Sequence, residues 1–307
     1  MKKRSNNGLL LSAAGIAIAA GVYDFATCNS ARADVSGASD GLPPTMTFNA
    51  VIRDFKSAGE RGGHPDFEAF SGSDASVGLI QDTLDSDGKP VFLSNYGKSG
   101  CAGFTNSAGQ RIMPSMADAS KGDKVGTLAA NTSKQLTSSA AFSQWYRDVA
   151  GVNVSKVIPI VLNRVAGTNR YVFDSATDEP YKTRGGFFPI NGELYGNYST
   201  TGKNFHFTTE VSAKFVYSKA DNAVFTFTGD DDLWVFINNK LVMDLGGLHA
   251  KKDQTLEINR VAGLEEGKSY DLKIFHAERH TTESNFRIET TLRLAPVQLP
   301  TTTCIFD

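Results

Sequence analysis

The chain is poor in cysteine, in histidine, in surplus basic charge and in long apolar runs, and each shortage removes a class of function. Three cysteines in 307 residues leave room for one disulfide and no disulfide framework. With 31 basic against 33 acidic residues, a net charge of −2, there is no electrostatic footprint for nucleic acid, and no basic stripe supplies one. The longest apolar run, residues 9–22, has about 14 residues where a bilayer takes roughly 20, so the mature chain is expected to have no membrane span. No Gly-x-Ser-x-Gly, no His-Glu-x-x-His and no phosphate-cradling loop occurs, and Cys101 has no evident histidine partner, so no catalytic frame is expected. No segment recurs at fixed spacing, which excludes a solenoid.

What is present begins with a leader pattern. Lys2, Lys3 and Arg4 precede the apolar stretch, and Ala31-Arg32-Ala33 forms a small-x-small cleavage site. Residues 1–33 therefore read as a signal peptide, with a retained single-helix anchor as the alternative. The basic-then-apolar start reads as bacterial, and the mature chain as secreted or at the cell surface. Removing the leader also removes Cys28 and makes the chain more acidic. Cys101 and Cys304 then remain, an even pair that an oxidising compartment would let bridge, although two free thiols fit as well. Residues 34–45 read as a polar lead-in, 46–294 as one domain and 295–307 as a tail.

Within the domain the pattern is that of strands. Residues 56–200 are a loop-rich elaboration with one short helix, capped by Ser138 or Ser139, bearing Phe142, Trp145, Tyr146 and Val149 on one face and ending at Gly151. "DSDG" at 85–88 reads as a hairpin turn, since it lacks the glutamate of a calcium loop. "VSKVIPIVLNRV", "RYVFDS" and "GGFFPI" read as strands, followed in the 201–294 core by "FHFTTEVSAKFVYS", "AVFTFTG", "LWVFIN", "KLVMDLG", "QTLEINRVAG", "SYDLKIFHAE" and "NFRIETTLRL". "KADN" and "NN" sit where hairpins would turn. Short strands about ten residues apart predict a mainly β antiparallel sandwich.

Asp230, Asp231 and Asp232 interrupt this pattern. Adjacent carboxylates raise each other's pKa unless a cation compensates, and calcium is a hard ion that takes six to eight oxygens from loops. The stretch alone fits a solvated acidic turn as well as a shared cation. His249 reads as a turn residue, His276 and Trp234 as core, and Glu278 with Arg287 as an ion pair.

Several segments carry a resemblance. "AVIRDF" (50–55), "HPDFE" (64–68), "WYRDVAGVN" (145–153), "FDS" with "FFPI", "NFHFTTEV" (204–211), "FTGDDDLWVFINNKLVMDLGGLH" (227–249) and "AERHTTESNFRIET" (277–290) are similar to the fibro-slime domain family, related to the protective-antigen-type lectin-like β-sandwich. In that superfamily an Asp-Asp pair joined by a cis peptide holds one Ca²⁺, and the strand after it has the form aromatic-Ile-x-Gly-Lys-Leu-Val. The resemblance places the pair at Asp230-Asp231, with Asp232 where glycine is frequent. A second loop, here 278–285, supplies an amide ligand, which makes Asn285 the candidate, and side chains that choose a sugar, here Arg279, His280 and Glu283.

Two functions follow. One is a calcium-dependent carbohydrate-binding, lectin-like adhesion module whose partners are glycans or extracellular polysaccharide. The other is a structural fibre or matrix component with a purely structural ion and a capacity to self-associate.

Overall fold

The computed structural model describes residues 41–297. The leader, most of the lead-in and Cys304 lie outside the described residues. Thirteen strands are described: β1 (Thr45–Phe55), β2 (Lys98–Ser99), β3 (Ala129–Ala130), β4 (Asn153–Arg164), β5 (Tyr171–Asp174), β6 (Phe207–Val216), β7 (Val224–Gly229), β8 (Asp232–Ile237), β9 (Lys240–Leu245), β10 (Lys252–Glu257), β11 (Ser269–Glu278), β12 (Phe286–Thr290) and β13 (Ala295–Pro296). Helices α1 (Ser139–Phe142) and α2 (Tyr181–Arg184) are one turn each.

The main sheet runs β10-β7-β12-β5-β4-β1-β6-β11-β8-β9 with every pair antiparallel, and β13 pairs with β6. It is nearly closed on itself. At the remaining seam, the Asp244 backbone N–H of β9 donates to the Gln254 side-chain carbonyl of β10 at 2.9 Å. The fold is the mainly β antiparallel architecture that the strand spacing predicts.

Alternation explains which residues face inward. On β1, Met46, Phe48, Ala50 and Ile52 enter the core while Thr45, Thr47 and Asn49 between them face out. Strand β8 breaks the rule, being buried along its whole length. Leu233, Val235 and Ile237 join the core between the sheet faces. Trp234 and Phe236 point the other way, into a second core with Phe67, Phe142, Trp145 and Tyr146. The loop-rich segment is therefore packed onto the back of β8 and β11, and Trp234 is core, as its sequence position suggests.

Three local expectations change. Helix α1 stops at Phe142, well short of Gly151. The Asn153 amide takes the carbonyls of Gln144 and Arg147 at 3.1 and 2.9 Å, and the Thr208 hydroxyl takes that of Trp145 at 2.7 Å. Those carbonyls are then spent on side chains and no helical ladder continues. "GGFFPI" is no strand: Phe187 and Phe188 are buried from an irregular segment, with Phe187 N–H on the Ser284 carbonyl at 2.8 Å. "KADN" turns, with Asn222 at φ 44, but joins strands that do not pair, so it crosses the sheet instead of closing a hairpin. "NN" does close one: Asn238 and Asn239, at φ 49 and 63, join paired β8 and β9. "DSDG" also turns, with Gly88 N–H on the Asp85 carbonyl at 2.9 Å.

Candidate functional site

Strands β7 and β8 are consecutive in the chain but not neighbours in the sheet: β7 pairs with β10 and β12, β8 with β11 and β9. The aspartates are the crossing between them. The Asp230-Asp231 peptide is cis, the bond the resemblance implies. The solvated-turn alternative is overturned, because Asp230 is 3% exposed, Asp231 5% and Asp232 0%.

Each carboxylate has its own surroundings. The Asp230 oxygens accept from the backbone N–H of Asn285 at 2.6 Å and from its side-chain amide at 2.8 Å, while the Asp230 carbonyl faces His276 Nε2 at 2.7 Å. Burial pushes the Asp230 carboxyl up to about 6 against those bonds. Asp231 donates its N–H to the Ala277 carbonyl at 3.2 Å and accepts from the Arg279 N–H at 3.1 Å. Its carboxyl is driven far above the usual range by burial, with Asp232 and Asp230 adding repulsion that Arg279 opposes. Asp232 accepts from Gly247 N–H at 2.5 Å and pairs with Arg279 Nε at 2.6 Å.

Strand β11 and the loop after it form the other wall. His276 sits among Phe187, Phe207, Phe227 and Phe286, and burial lowers its pKa to about 4, so it is a neutral core residue. Glu278 is 0% exposed and its carboxylate oxygens make no well-formed hydrogen bond, with only the Ser284 hydroxyl and the His280 N–H acting on them. The expected Glu278–Arg287 ion pair does not form: Arg287 is engaged with Asp174 and Glu289. The nearby Ser284 hydroxyl donates to the Phe187 carbonyl at 2.7 Å.

The three sugar-contact candidates separate. Arg279 is 0% exposed; its guanidinium pairs with Asp232, donates to the Asp66 and Gln135 carbonyls and lies 5.0 Å from the Trp145 ring. It cannot reach a sugar at the surface, and its work is to neutralise Asp232 and tie the loop-rich segment to β8. The reason is strand alternation, which turns Arg279 toward the second core. Glu283 is exposed and accepts from the Asn285 amide at 3.2 Å, and His280 is half-buried with Nε2 3.8 Å from Glu68. Asn285, Glu283 and Asp230 are thus brought together, with His280 on the rim.

Other placements are structural. His249 is buried in the turn after β9 with its two ring nitrogens on the carbonyls of Ala250 and Leu245, away from the acidic pair. Cys101 is buried and free, with its sulfur 3.9 Å from the Ala75 carbonyl; its expected partner Cys304 lies outside the described residues. A cavity of about 430 Å³, lined by Ser71, Ser73, Asp74, Asn131, Ser133 and Gln135, opens beside the 246–248 turn, but none of Asp230, Asp231 and Asn285 lines it. No helix among the described residues is long and apolar enough to cross a membrane.

Two adjacent carboxylates and an amide are the donor types a hard cation takes, and the one guanidinium beside them is paired with Asp232. As they stand, no three His, Cys, Asp or Glu side chains among the described residues converge on a single metal position. The sequence flagged the aspartates and Asn285 but missed Glu278 as a buried acid and Arg279 as a buried cation. Alternation along "SYDLKIFHAER" carries a weak signal for both, since residues 276 and 278 share a face and 277 and 279 the other.

Comparison with known proteins agrees with this architecture. Residues 190–301 match the sequence model of the PA14 domain. Protein psiH of Dictyostelium discoideum is 34% identical over 256 residues, covering 82% of this chain and 31% of that protein. Protein psiQ of the same organism is 37% identical over 184 residues, 56% of this chain and 18% of its own length. The chain therefore spans a third or less of these relatives. A solved β-glucosidase from Kluyveromyces marxianus overlaps 28% of this chain at 12% identity and a TM-score of 0.21, too little for anything to be carried over. The relatives are eukaryotic, which overturns the bacterial reading of the N-terminus: a basic start before an apolar run is not specific to one kingdom. Over residues 190–301 the chain is thus similar to the PA14 domain, and over longer stretches to the Dictyostelium psi proteins.

Proposed function

We propose that this protein is a calcium-dependent, carbohydrate-binding adhesion module, with Asp230, Asp231 and Asn285 holding one Ca²⁺ and a glycan completing the ion's shell. One observation carries the reading: two adjacent carboxylates are buried at a sheet crossing, and the guanidinium beside them is already paired with a third. Burying such charge uncompensated is costly, and a cation with oxygen preference removes the cost. The Asn285 amide lies against Asp230, so turning it end for end would offer its carbonyl oxygen at the same place. When bound, the ion would supply positive charge to orient vicinal hydroxyls. Glu283 and His280, on the open side, are the side chains available to select among sugars. Further support comes from the fibro-slime resemblance of "AERHTTESNFRIET", which covers this same loop.

Adjacent buried carboxylates serve a shared cation better than the separated acid and base of a glycoside hydrolase, which face each other across a cleft. The role is therefore binding and not catalysis. A structural ion without sugar is the competing reading, and it shares the same metal residues.

Calorimetric titration with Ca²⁺, on the wild type and on Asp230→Asn/Asp231→Asn, tests the ion. Heat and a raised melting temperature in the wild type, both lost in the variant, are expected; no binding at millimolar Ca²⁺ refutes it. A glycan array read with Ca²⁺ and with chelator tests the sugar. Binding that needs Ca²⁺ supports a lectin, and no binding in either condition leaves the structural ion.

A further inference from the structure

We propose that the cavity beside the 246–248 turn is a second saccharide site, one that takes the terminal sugar of a neutral glycan and needs no metal. It stands apart from the Asp230-Asp231 crossing and does not depend on an ion there.

The lining decides the class of ligand. Ser71, Ser73, Ser99, Thr132 and Ser133 bring hydroxyls to the cavity, and none of these hydroxyls has a hydrogen-bond partner among the described residues. No aliphatic or aromatic side chain lines it, which disfavours an apolar ligand. Asp74 is the one charged residue of the lining, and Lys252 Nζ pairs with it at 3.0 Å. The lining therefore offers no free cation to a phosphate or a carboxylate. What remains is a neutral ligand rich in hydroxyls. The volume, about 430 Å³, lies within the usual range of small-ligand pockets, about 300–1,000 Å³.

Exposed hydroxyls alone are satisfied by water, and two buried groups at the base make the difference. Ser76 is 0% exposed and Gln135 2%. The Ser76 hydroxyl accepts from the Asn131 amide at 2.7 Å, and its own proton has no acceptor among the described residues. The Gln135 amide nitrogen reaches only the Ser71 and Ser133 carbonyls, at 3.4 and 3.5 Å, longer than the usual limit of about 3.2 Å. Its side-chain oxygen is held by Leu248 N–H at 2.9 Å, so the amide cannot turn to improve those bonds. Asn131 uses its nitrogen on Ser76 and on the Tyr96 carbonyl, and its side-chain oxygen has no donor among the described residues. Two under-used buried donors and one acceptor thus line the same cavity. A sugar hydroxyl donates and accepts at once and serves both kinds, and pairing removes the cost of leaving such groups unmet.

The walls are fixed before any ligand arrives. Ser76 N–H donates to the Gly246 carbonyl at 2.5 Å, and Asn131 N–H to the Gly97 carbonyl at 3.2 Å. Gly72 lies against the Leu248 carbonyl with no room for a Cβ. Walls that need no ordering leave more of the contact energy as affinity.

The competing account is a wet cleft that any polyol enters. Amide chemical-shift mapping on the isotope-labelled whole chain, with excess EDTA, separates the two. The probes are the methyl glycosides of glucose, galactose, mannose and N-acetylglucosamine, with glycerol as the control. At least one glycoside is expected to shift the Gln135 side-chain amide and the backbone signals of Ser73, Asp74 and Thr132, with glycerol leaving them in place. Ser76→Ala is expected to weaken that binding about threefold to tenfold, the worth of one hydrogen bond, and Ser133→Trp, on the exposed rim, to block it. Should Ser76→Ala fail to fold, Ser133→Trp carries the test by itself. No shift with any of the four glycosides at tens of millimolar overturns the proposal, as do equal shifts with glycerol or unchanged binding in both variants. Shifts that need Ca²⁺ and vanish in EDTA give the sugar to the acidic crossing and overturn it too. A chain that binds a glycoside here but no Ca²⁺ supports this site while sinking the reading of the ion.

Discussion

Asp232 and Arg279 show how a single residue here is chosen by its neighbours. Both side chains are wholly buried, 2.6 Å apart, and the guanidinium spans β8, Asp66 and Gln135. Breaking such a pair strands a charge, so Arg279→Met is expected to cost about 3–5 kcal/mol in urea unfolding, while Arg279→Met/Asp232→Leu recovers part of it. Asp54 gives a pH prediction. Burial outweighs its bonds from Asn204 and Tyr195 and pushes the carboxyl up to about 7. A raised folded-state pKa stabilises below the ordinary carboxylate value, near 4, and that stability is lost as pH rises through about 7. Calorimetric melts with chelator present should fall from pH 4 to pH 8, and Asp54→Asn should flatten the slope. Asp244, also held at about 7 by burial, adds to the same trend.

At the scale of elements, the β8–β9 hairpin is the most directly testable piece. Asn238 and Asn239 both take left-handed backbone, which asparagine tolerates and β-branched residues do not. The Asn239 side chain also accepts the Leu84 N–H at 3.1 Å, tying the hairpin to the loop-rich segment. Asn238→Val is expected to lower stability by about 1–2 kcal/mol, and Asn238→Gly to leave it within a few tenths, measured by chemical unfolding. The strands of this hairpin were readable from alternating and apolar runs, and the turn from "NN". The helix after Ser138 was readable only at its start. Its end was set by Asn153 and Thr208, residues that pattern alone does not bring to Gln144, Trp145 and Arg147.

For the whole molecule, the decisive feature is that the loop-rich segment forms a second core against β8 and β11. At Gly72 it lies so close to the turn after β9 that an added Cβ would stand 2.2 Å from the Leu248 carbonyl. Gly72→Ala must therefore push the segment off that turn, and a loss of about 2 kcal/mol with faster proteolysis between residues 56 and 135 is expected. The same docking holds Gln135 on Leu248 N–H and on Arg279, so the acidic crossing is supported from behind by a residue far away in the chain.

Strand content, the alternation along the core strands and the location of an unusual acidic pair were determined by sequence alone, because side-chain alternation and charge spacing are local properties. Asn285 was reachable only through resemblance, since nothing local links it to Asp230. Whether the aspartates were a wet turn or a buried crossing depended on β7 and β8 lying apart in the sheet, a fact of pairing between distant strands. The burial of Arg279, of Glu278 and of Trp234 followed from the same packing. Each is a consequence of which face meets which neighbour, and only the tertiary structure decides that.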